Sequence, residues 1–257
     1  MDGKDIISKR KGNPEDYTQK SDFWDRTEKK IQSDFLCRPY VLDLLGELEG
    51  QQIADIGCAD GYVCRLLAER GANVTGVDNS QGLIEKAKKH EEKNPLSINY
   101  FVDSALELEK IGNKKFDKVI SVLVFGHFNN EQMNKAIKKT SEILKKDGEF
   151  VLSVPHPFLY VCKPKTKWID FKYEDINYFE DERADITLYT KDRDGFDISA
   201  QTHTIQSYIN SLIDNGFSIE EVKEPKPTKK DLDTYSEMWG EETSRPSYLI
   251  IKSKKVL

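Results

Sequence analysis

The chain is poor in several features that mark whole protein classes. It has only four cysteines, Cys37, Cys58, Cys64 and Cys162, and no C-x-x-C pair. No metal site is therefore expected, and without an export signal the thiols read as reduced, in a cytoplasmic protein. Long apolar runs are missing too: the best stretch, Val119 to Phe125, is broken by Ser121 and is far too short to cross a bilayer. The opening Met-Asp-Gly-Lys-Asp has no apolar core of a signal peptide. There is no basic excess either. Lys and Arg total 39 against 45 Asp and Glu, a formal net charge of -6, which disfavours binding to nucleic-acid backbones and sets an RNA-directed enzyme aside. Aromatic residues, at 10% of 257, argue against disorder and leave ample chain for a core.

What is present from Gln52 onward is an alternation of short strands and amphipathic helices. The residues predict strands at Ile53–Ile56, Asn73–Val77, Ile98–Val102, Phe116–Phe125 and Glu149–Val154. Helices are expected at Tyr62–Arg70, after a Ser80 cap, and at Asn129–Leu144. Such alternation implies a doubly wound parallel sheet. Before it, Ser21-Asp22 caps a short helix with Phe23, Trp24 and Ile31, and Pro39 opens one running to Leu48, stopped by Gly50. The first twenty residues, polar and lysine-rich, are expected to fray. After Pro155 the rhythm fails. A stretch of about 45 residues rich in aromatics and charges follows, with a hairpin signal at Asp194-Gly195, before a helix at Ile205 and strands at Ser218 and Tyr248. An insertion of that length reads as a lid or binding wall.

The segment that carries chemistry is Ala54-Asp-Ile-Gly-Cys-Ala-Asp-Gly61, between the first strand and the first helix of the alternation. Glycines there permit a sharp turn and close approach of a ligand, at the strand ends where open α/β sheets bind. Asp78 ends the second strand, placed to accept from both hydroxyls of a ribose. Asp103-Ser104 ends the third, where Asp103 could take an exocyclic amine of adenine and Ser104 add a polar contact. The loop is not G-x-G-x-x-G and has no P-loop lysine. Three acids, Asp55, Asp78 and Asp103, oppose a phosphate-rich ligand and suit an adenosine carrying positive charge. That points away from NAD and ATP and towards S-adenosylmethionine (SAM).

With A-D-I-G-C-A-D-G, V-T-G-V-D-N-S, F-D-K-V-I-S-V-L-V-F and L-K-K-D-G-E-F-V-L in place, the chain resembles the class I SAM-dependent methyltransferases, small-molecule type, near the ubiquinone/menaquinone group. The match runs from about Gln51 to Val154 and resumes more weakly towards the C-terminus. The resemblance implies a Rossmann-like α/β fold, a seven-stranded sheet whose last strand is antiparallel. It puts Asp55, Gly57 and Gly61 at the methionine end of SAM, Asp78 on the ribose with Asn79 nearby, Asp103 and Ser104 on adenine, and Leu123 or Val124 beside the ligand. Ala59 stands where many members have a second glycine, and Cys58 reads as a small side chain near the cofactor. Similar enzymes close an N-terminal segment over SAM, which offers Tyr17 and Trp24 either a sulfonium-facing role or ordinary packing. The implied organisation is an N-terminal helical cap (1–50), a SAM-binding core (51–155), a lid (156–202) and a completion of the sheet (203–257).

The expected activity is transfer of the SAM methyl group to a small, partly apolar or aromatic metabolite, leaving S-adenosylhomocysteine. Two other functions stay open: non-methyl chemistry on SAM, and a non-catalytic scaffold. His127, His156 and His203 are the candidate bases, each against a purely structural alternative. The acidic run Asp192-x-Asp-Gly-x-Asp197 lacks the length and terminal glutamate of a calcium loop and reads as a turn. The protein is expected to work as a monomer or homodimer, without nucleic-acid or membrane partners.

Overall fold

Seven strands form the central sheet of the computed structural model, which describes residues 14–234 and 239–256. The lysine-rich segment expected to fray lies largely outside these residues. The strands are β1 (Gln52–Ile56), β2 (Asn73–Asp78), β3 (Asn99–Val102), β4 (Phe116–Val122), β5 (Leu144–Pro155), β9 (Phe217–Lys223) and β10 (Tyr248–Lys255). Their order across the sheet is β3-β2-β1-β4-β5-β10-β9. β1 to β5 pair in parallel, whereas β10 runs antiparallel to both β5 and β9. This is the arrangement of the class I fold, with the last strand of the chain reversed. Strand order turns back between β1 and β4, in register through Asp55 and Ile120, so the loops after these strands diverge and leave a crevice.

Neighbouring residues of one strand feed opposite faces, as the pleat requires. Ile53 joins Val63, Leu67, Ile84 and Ala87 on the face covered by α4 (Arg38–Leu44), α5 (Tyr62–Ala68) and α6 (Gln81–Lys93). Ala54 joins Met133, Ile137, Tyr208 and Leu212 on the face covered by α7 (Asn130–Ile143) and α9 (Ile205–Asp214). Ser80 caps α6 as expected, its Oγ accepting the Leu83 N–H, and Asn129, expected inside the next helix, caps α7 instead, its Oδ1 accepting the Gln132 N–H.

Two segments cover the C-terminal strand ends. One is the N-terminal strap of α1 (Pro14–Gln19), α2 (Ser21–Trp24) and α3 (Gln32–Leu36). The other is the insertion: α8 (Pro157–Cys162) and an antiparallel sheet of β6 (Ile169–Phe171), β7 (Arg183–Tyr189) and β8 (Gly195–Gln201). The hairpin at Asp194-Gly195 joins β7 to β8, and Thr190 Oγ1 accepts the N–H groups of Asp192 and Asp194, so the acidic run is a turn. Strap and lid share one apolar cluster around Phe35, Trp168, Ile186, Phe196 and Ile198.

Three local expectations are corrected. The helix expected to run to Leu48 ends at Leu44, because Gly46 takes a left-handed φ of 64°. Ile31 is not on the short helix of Phe23 and Trp24, which stops at Trp24; it bridges to Thr190 of the lid. The proline-marked loop after β9 continues into α10 (Lys229–Thr234).

Candidate cofactor and acceptor cleft

The first loop is locked by its own geometry. The N–H groups of Gly57 and Cys58 both donate to Val77 O, at 2.7 and 3.0 Å, tying the loop to the end of β2. Gly57 has φ 78°, and a Cβ there would overlap Val124 Cγ2, so the loop after β1 packs directly on the loop after β4. Gly61 also lies in the left-handed region, and a Cβ there would overlap the Tyr100 hydroxyl. Ala59 has φ 50°, which explains why glycine suits that position.

The acids are arranged for different tasks. Asp78 Oδ2 accepts the Ala59 N–H at 3.0 Å and Oδ1 that of Ser80 at 2.9 Å, so one carboxylate organises two loops at the cleft. Burial pushes its carboxyl up to about 6, against those two hydrogen bonds. Asp55 is buried deeper. Burial pushes it up to about 7, opposed by the hydrogen bond from Cys64 Sγ at 3.3 Å and by Arg38. Asp103 accepts from the N–H groups of Ser104 (2.8 Å) and Lys110 (2.6 Å), so it shapes its own loop as well as facing the cleft. Burial pushes the Cys58 thiol up to about 11, which leaves it protonated and unsuited to nucleophilic work.

A buried ionic network sits beside this loop. Arg26 Nη2 meets Asp60 Oδ1 at 2.6 Å, and Arg26 Nη1 meets Asp34 Oδ1 at 3.4 Å. Arg38 Nη1 reaches the same Asp34 oxygen at 3.0 Å, and Arg65 Nη1 donates to Asp60 O at 2.6 Å. The motif residue Asp60 thus clamps the strap onto the core. Arg38, Gln32 and Ser33 line the cleft, and Arg38 Nε is buried with no hydrogen-bond partner among the described residues. Sequence reasoning missed all three. Their only signal was polar residues inside an otherwise apolar helical stretch.

One continuous cavity runs from these loops to the lid. It is lined by Asp55, Gly57, Cys58, Ala59, Asp78, Asn79, Asp103, Ser104, Leu123 and Val124, and by Tyr17 and Trp24 of the strap. Gly61 is not on its wall; it turns the chain behind the loop. On the far side the lining is Leu159, Tyr160, Trp168, Ile186, Leu188, Tyr189 and Ile198. Other lid aromatics face elsewhere: Phe179 is 82% and Phe158 43% exposed.

The three histidines separate clearly. His127 lines the cavity, and its Nε2 lies 3.1 Å from the Tyr17 hydroxyl. His156 and His203 are not on the cavity wall. His156 is fully buried, with Nδ1 accepting the Phe158 N–H and Nε2 2.7 Å from Glu224. His203 spans Phe128 O at 2.7 Å and Asn130 Oδ1 at 3.1 Å, pinning the start of α7. Both of these rings are used up in holding loops, so the geometry corrects their candidacy as bases.

The fold, this loop and known proteins agree on the class. The methyltransferase domain family matches residues 53–148, and this stretch carries the fold and first loop of a SAM-dependent methyltransferase, with SAM as cofactor. A solved Listeria monocytogenes structure, assigned to the S-adenosylmethionine dependent methyltransferases, superposes with a TM-score of 0.66 at 26% identity, covering 84% of this chain and 95% of that one. An uncharacterized protein of Haemophilus influenzae is 28% identical over 235 residues, 87% of this chain and 89% of its own length. The ubiquinone biosynthesis O-methyltransferase of Pelagibacter ubique is 38% identical over 101 residues, and this chain spans only 40% of its length. The residues present fit SAM: acids for the ribose and adenine side, no phosphate-binding lysine in the loop, and, among the described residues, an unpaired buried donor on Arg38. Among the described residues, no helix is long and apolar enough to cross a membrane.

Proposed function

We propose that the enzyme methylates a small, uncharged, partly apolar or aromatic acceptor held between the first loop and the lid. The observation that carries this is the lining of the cavity. Among the described residues, every charged side chain on its wall lies on the cofactor side, while the lid contributes only apolar and aromatic residues. An acceptor bearing phosphate, carboxylate or ammonium would lose its hydration there without a partner in exchange.

When bound, SAM supplies a methyl group activated on sulfur: the acceptor lone pair forms a bond to carbon as the carbon–sulfur pair returns to sulfur. The chain's own residues hold and align. Asp78 would accept from the ribose hydroxyls, and Asp103 and Ser104 would meet the adenine. Arg38 offers its unpaired Nε to the carboxylate of the methionine end, with Asp55 beside it. Gly57 keeps the loop free of a side chain. The lid and the strap exclude water and orient the acceptor, which is most of what such a displacement needs.

The test is formation of S-adenosylhomocysteine across paired acceptors, each neutral compound set against its phosphorylated or carboxylated counterpart. Turnover confined to the neutral members supports the reading. Equal turnover of charged members overturns it, as does a new product from SAM with no acceptor present.

A further inference from the structure

We propose that Tyr17 and His127 form a proton relay, and that the acceptor is a neutral, phenol-like hydroxyl compound methylated on oxygen. This rests on the methyltransferase function proposed above and names its substrate class. The two residues lie 110 positions apart, on the strap and on the loop after β4, yet Tyr17 Oη and His127 Nε2 are 3.1 Å apart. Their rings meet edge-on at 5.8 Å between centroids. Both line the cavity. His127 follows Val124 by three residues, and Val124 is the side chain packed against Gly57, so the pair stands next to the loop that takes the methionine end of SAM.

The pair is held from several sides. Tyr17 packs on Trp24 (5.8 Å) and Phe196 (5.3 Å), and its neighbour Thr18 contacts Ser80 through hydroxyls 2.9 Å apart. The groups that face His127 are the Tyr17 hydroxyl on α1, the Ser199 backbone on β8 and the Arg183 guanidinium on β7. Burial, aided by Arg183, lowers the pKa of His127 below that of an ordinary histidine, against the Ser199 backbone, so the ring is neutral at pH 7 and free to accept a proton.

Among the described residues, nothing else at the acceptor end can take a proton at that pH. Burial raises the Tyr160 hydroxyl far above neutrality. Tyr189 donates its hydroxyl to Asp170 at 2.7 Å, and the Cys58 thiol stays protonated. An ammonium acceptor would find no carboxylate among the described residues on the lid side of the cavity. A phenol matches both the apolar walls and a neutral base, and it needs a base because its oxygen is a weak nucleophile until the proton leaves.

The step balances within these groups. The acceptor proton moves to Tyr17 Oη while the Tyr17 proton passes to His127 Nε2. Tyr17 ends neutral and His127 an imidazolium. The lone pair left on the acceptor oxygen would make the new bond to the methyl carbon as the carbon–sulfur bond breaks and its electron pair stays on sulfur. The imidazolium returns its proton to water once product leaves.

The probe is 4-nitrophenol, whose phenolate is yellow, added to protein loaded with S-adenosylhomocysteine. The variants are Tyr17→Phe, which keeps the ring packing, and His127→Gln. In the wild type the bound phenol should ionise at a lower pH than the free compound; in both variants that advantage should vanish. Turnover of simple phenols should fall about a hundredfold in kcat, with the KM for SAM within threefold, and acidic phenols should lose least. A ring pair serving only as a latch would instead raise the KM for SAM and leave the ionisation midpoint alone, which overturns the relay. Failure of 4-nitrophenol to bind protein that does bind SAM overturns the phenol class. Failure to bind SAM at all overturns the methyltransferase function beneath both.

Discussion

Replacing Asp78 by asparagine separates what this side chain does for the fold from what it does for the ligand. In the folded protein its carboxyl rises from 3.8 to about 6, chiefly through burial. A group whose folded-state value is raised costs stability once ionised. That cost is absent below pH 4, grows as the pH rises through the interval, and reaches about 3 kcal/mol above pH 6. The neutral amide removes the cost. It also cannot accept both the Ala59 and Ser80 N–H groups, and leaving one buried donor unpaired costs about 1–3 kcal/mol. The two effects nearly cancel, so the unfolding free energy of the Asp78→Asn protein should stay within about 2 kcal/mol of the wild type. Binding is a different matter. A carboxylate can accept from both ribose hydroxyls, and losing one charge-assisted bond is worth about 1.5–3 kcal/mol, roughly 10- to 150-fold in Kd. Calorimetry with SAM at pH 8 measures that loss, and urea unfolding measures the stability. In the wild type, SAM affinity should also fall about tenfold per pH unit below 6, because only the ionised form accepts both hydroxyls. An Asp78→Asn protein that binds SAM within threefold of the wild type refutes the assignment.

Ala59→Gly should relieve the left-handed backbone at φ 50° and stabilise the protein by about 0.5–1 kcal/mol, or 2–3 °C in thermal unfolding. Gly57→Ala should abolish SAM binding through overlap with Val124, and the added change Val124→Ala should restore part of it; titration of both variants checks this. Arg38→Met takes one cation from the buried Asp34 and leaves Arg26 at 3.4 Å, so it should cost about 3 kcal/mol in urea unfolding. The same variant should bind SAM at least tenfold more weakly while its affinity for adenosine, which has no carboxylate, is unchanged.

The cofactor half was legible because its signals are local. The strand boundaries of β1 to β4 sit within three residues of those expected, since short apolar runs ending in Gly or Asp leave little freedom. The acids ending β1 and β2, Asp55 and Asp78, and Asp103 just past β3, all reach the cavity for the same reason. What could not be read depends on distant pairing. Arg26 and Asp60 are 34 residues apart yet meet within one buried ionic network. No spacing rule tells His127 from His156 or His203: each follows a strand, and only the fold decides which ring meets the cavity and which meets Glu224 or Phe128. The lid was recognised as an insertion, but β6 is three residues long and carries no periodicity. Its cavity wall proved as aliphatic as aromatic, with Leu159, Ile186, Leu188 and Ile198 taking places that Phe158 and Phe179 leave for the surface.

The most direct measurement is calorimetric titration of the intact protein with SAM, S-adenosylhomocysteine, ATP and NAD at one pH above 7. An acid-lined cleft with no phosphate-binding lysine in its loop should bind the first two in the micromolar range and leave ATP and NAD unbound. Binding of ATP or NAD as tight as that of SAM, or no heat with SAM and S-adenosylhomocysteine alike, would contradict the account of this cleft.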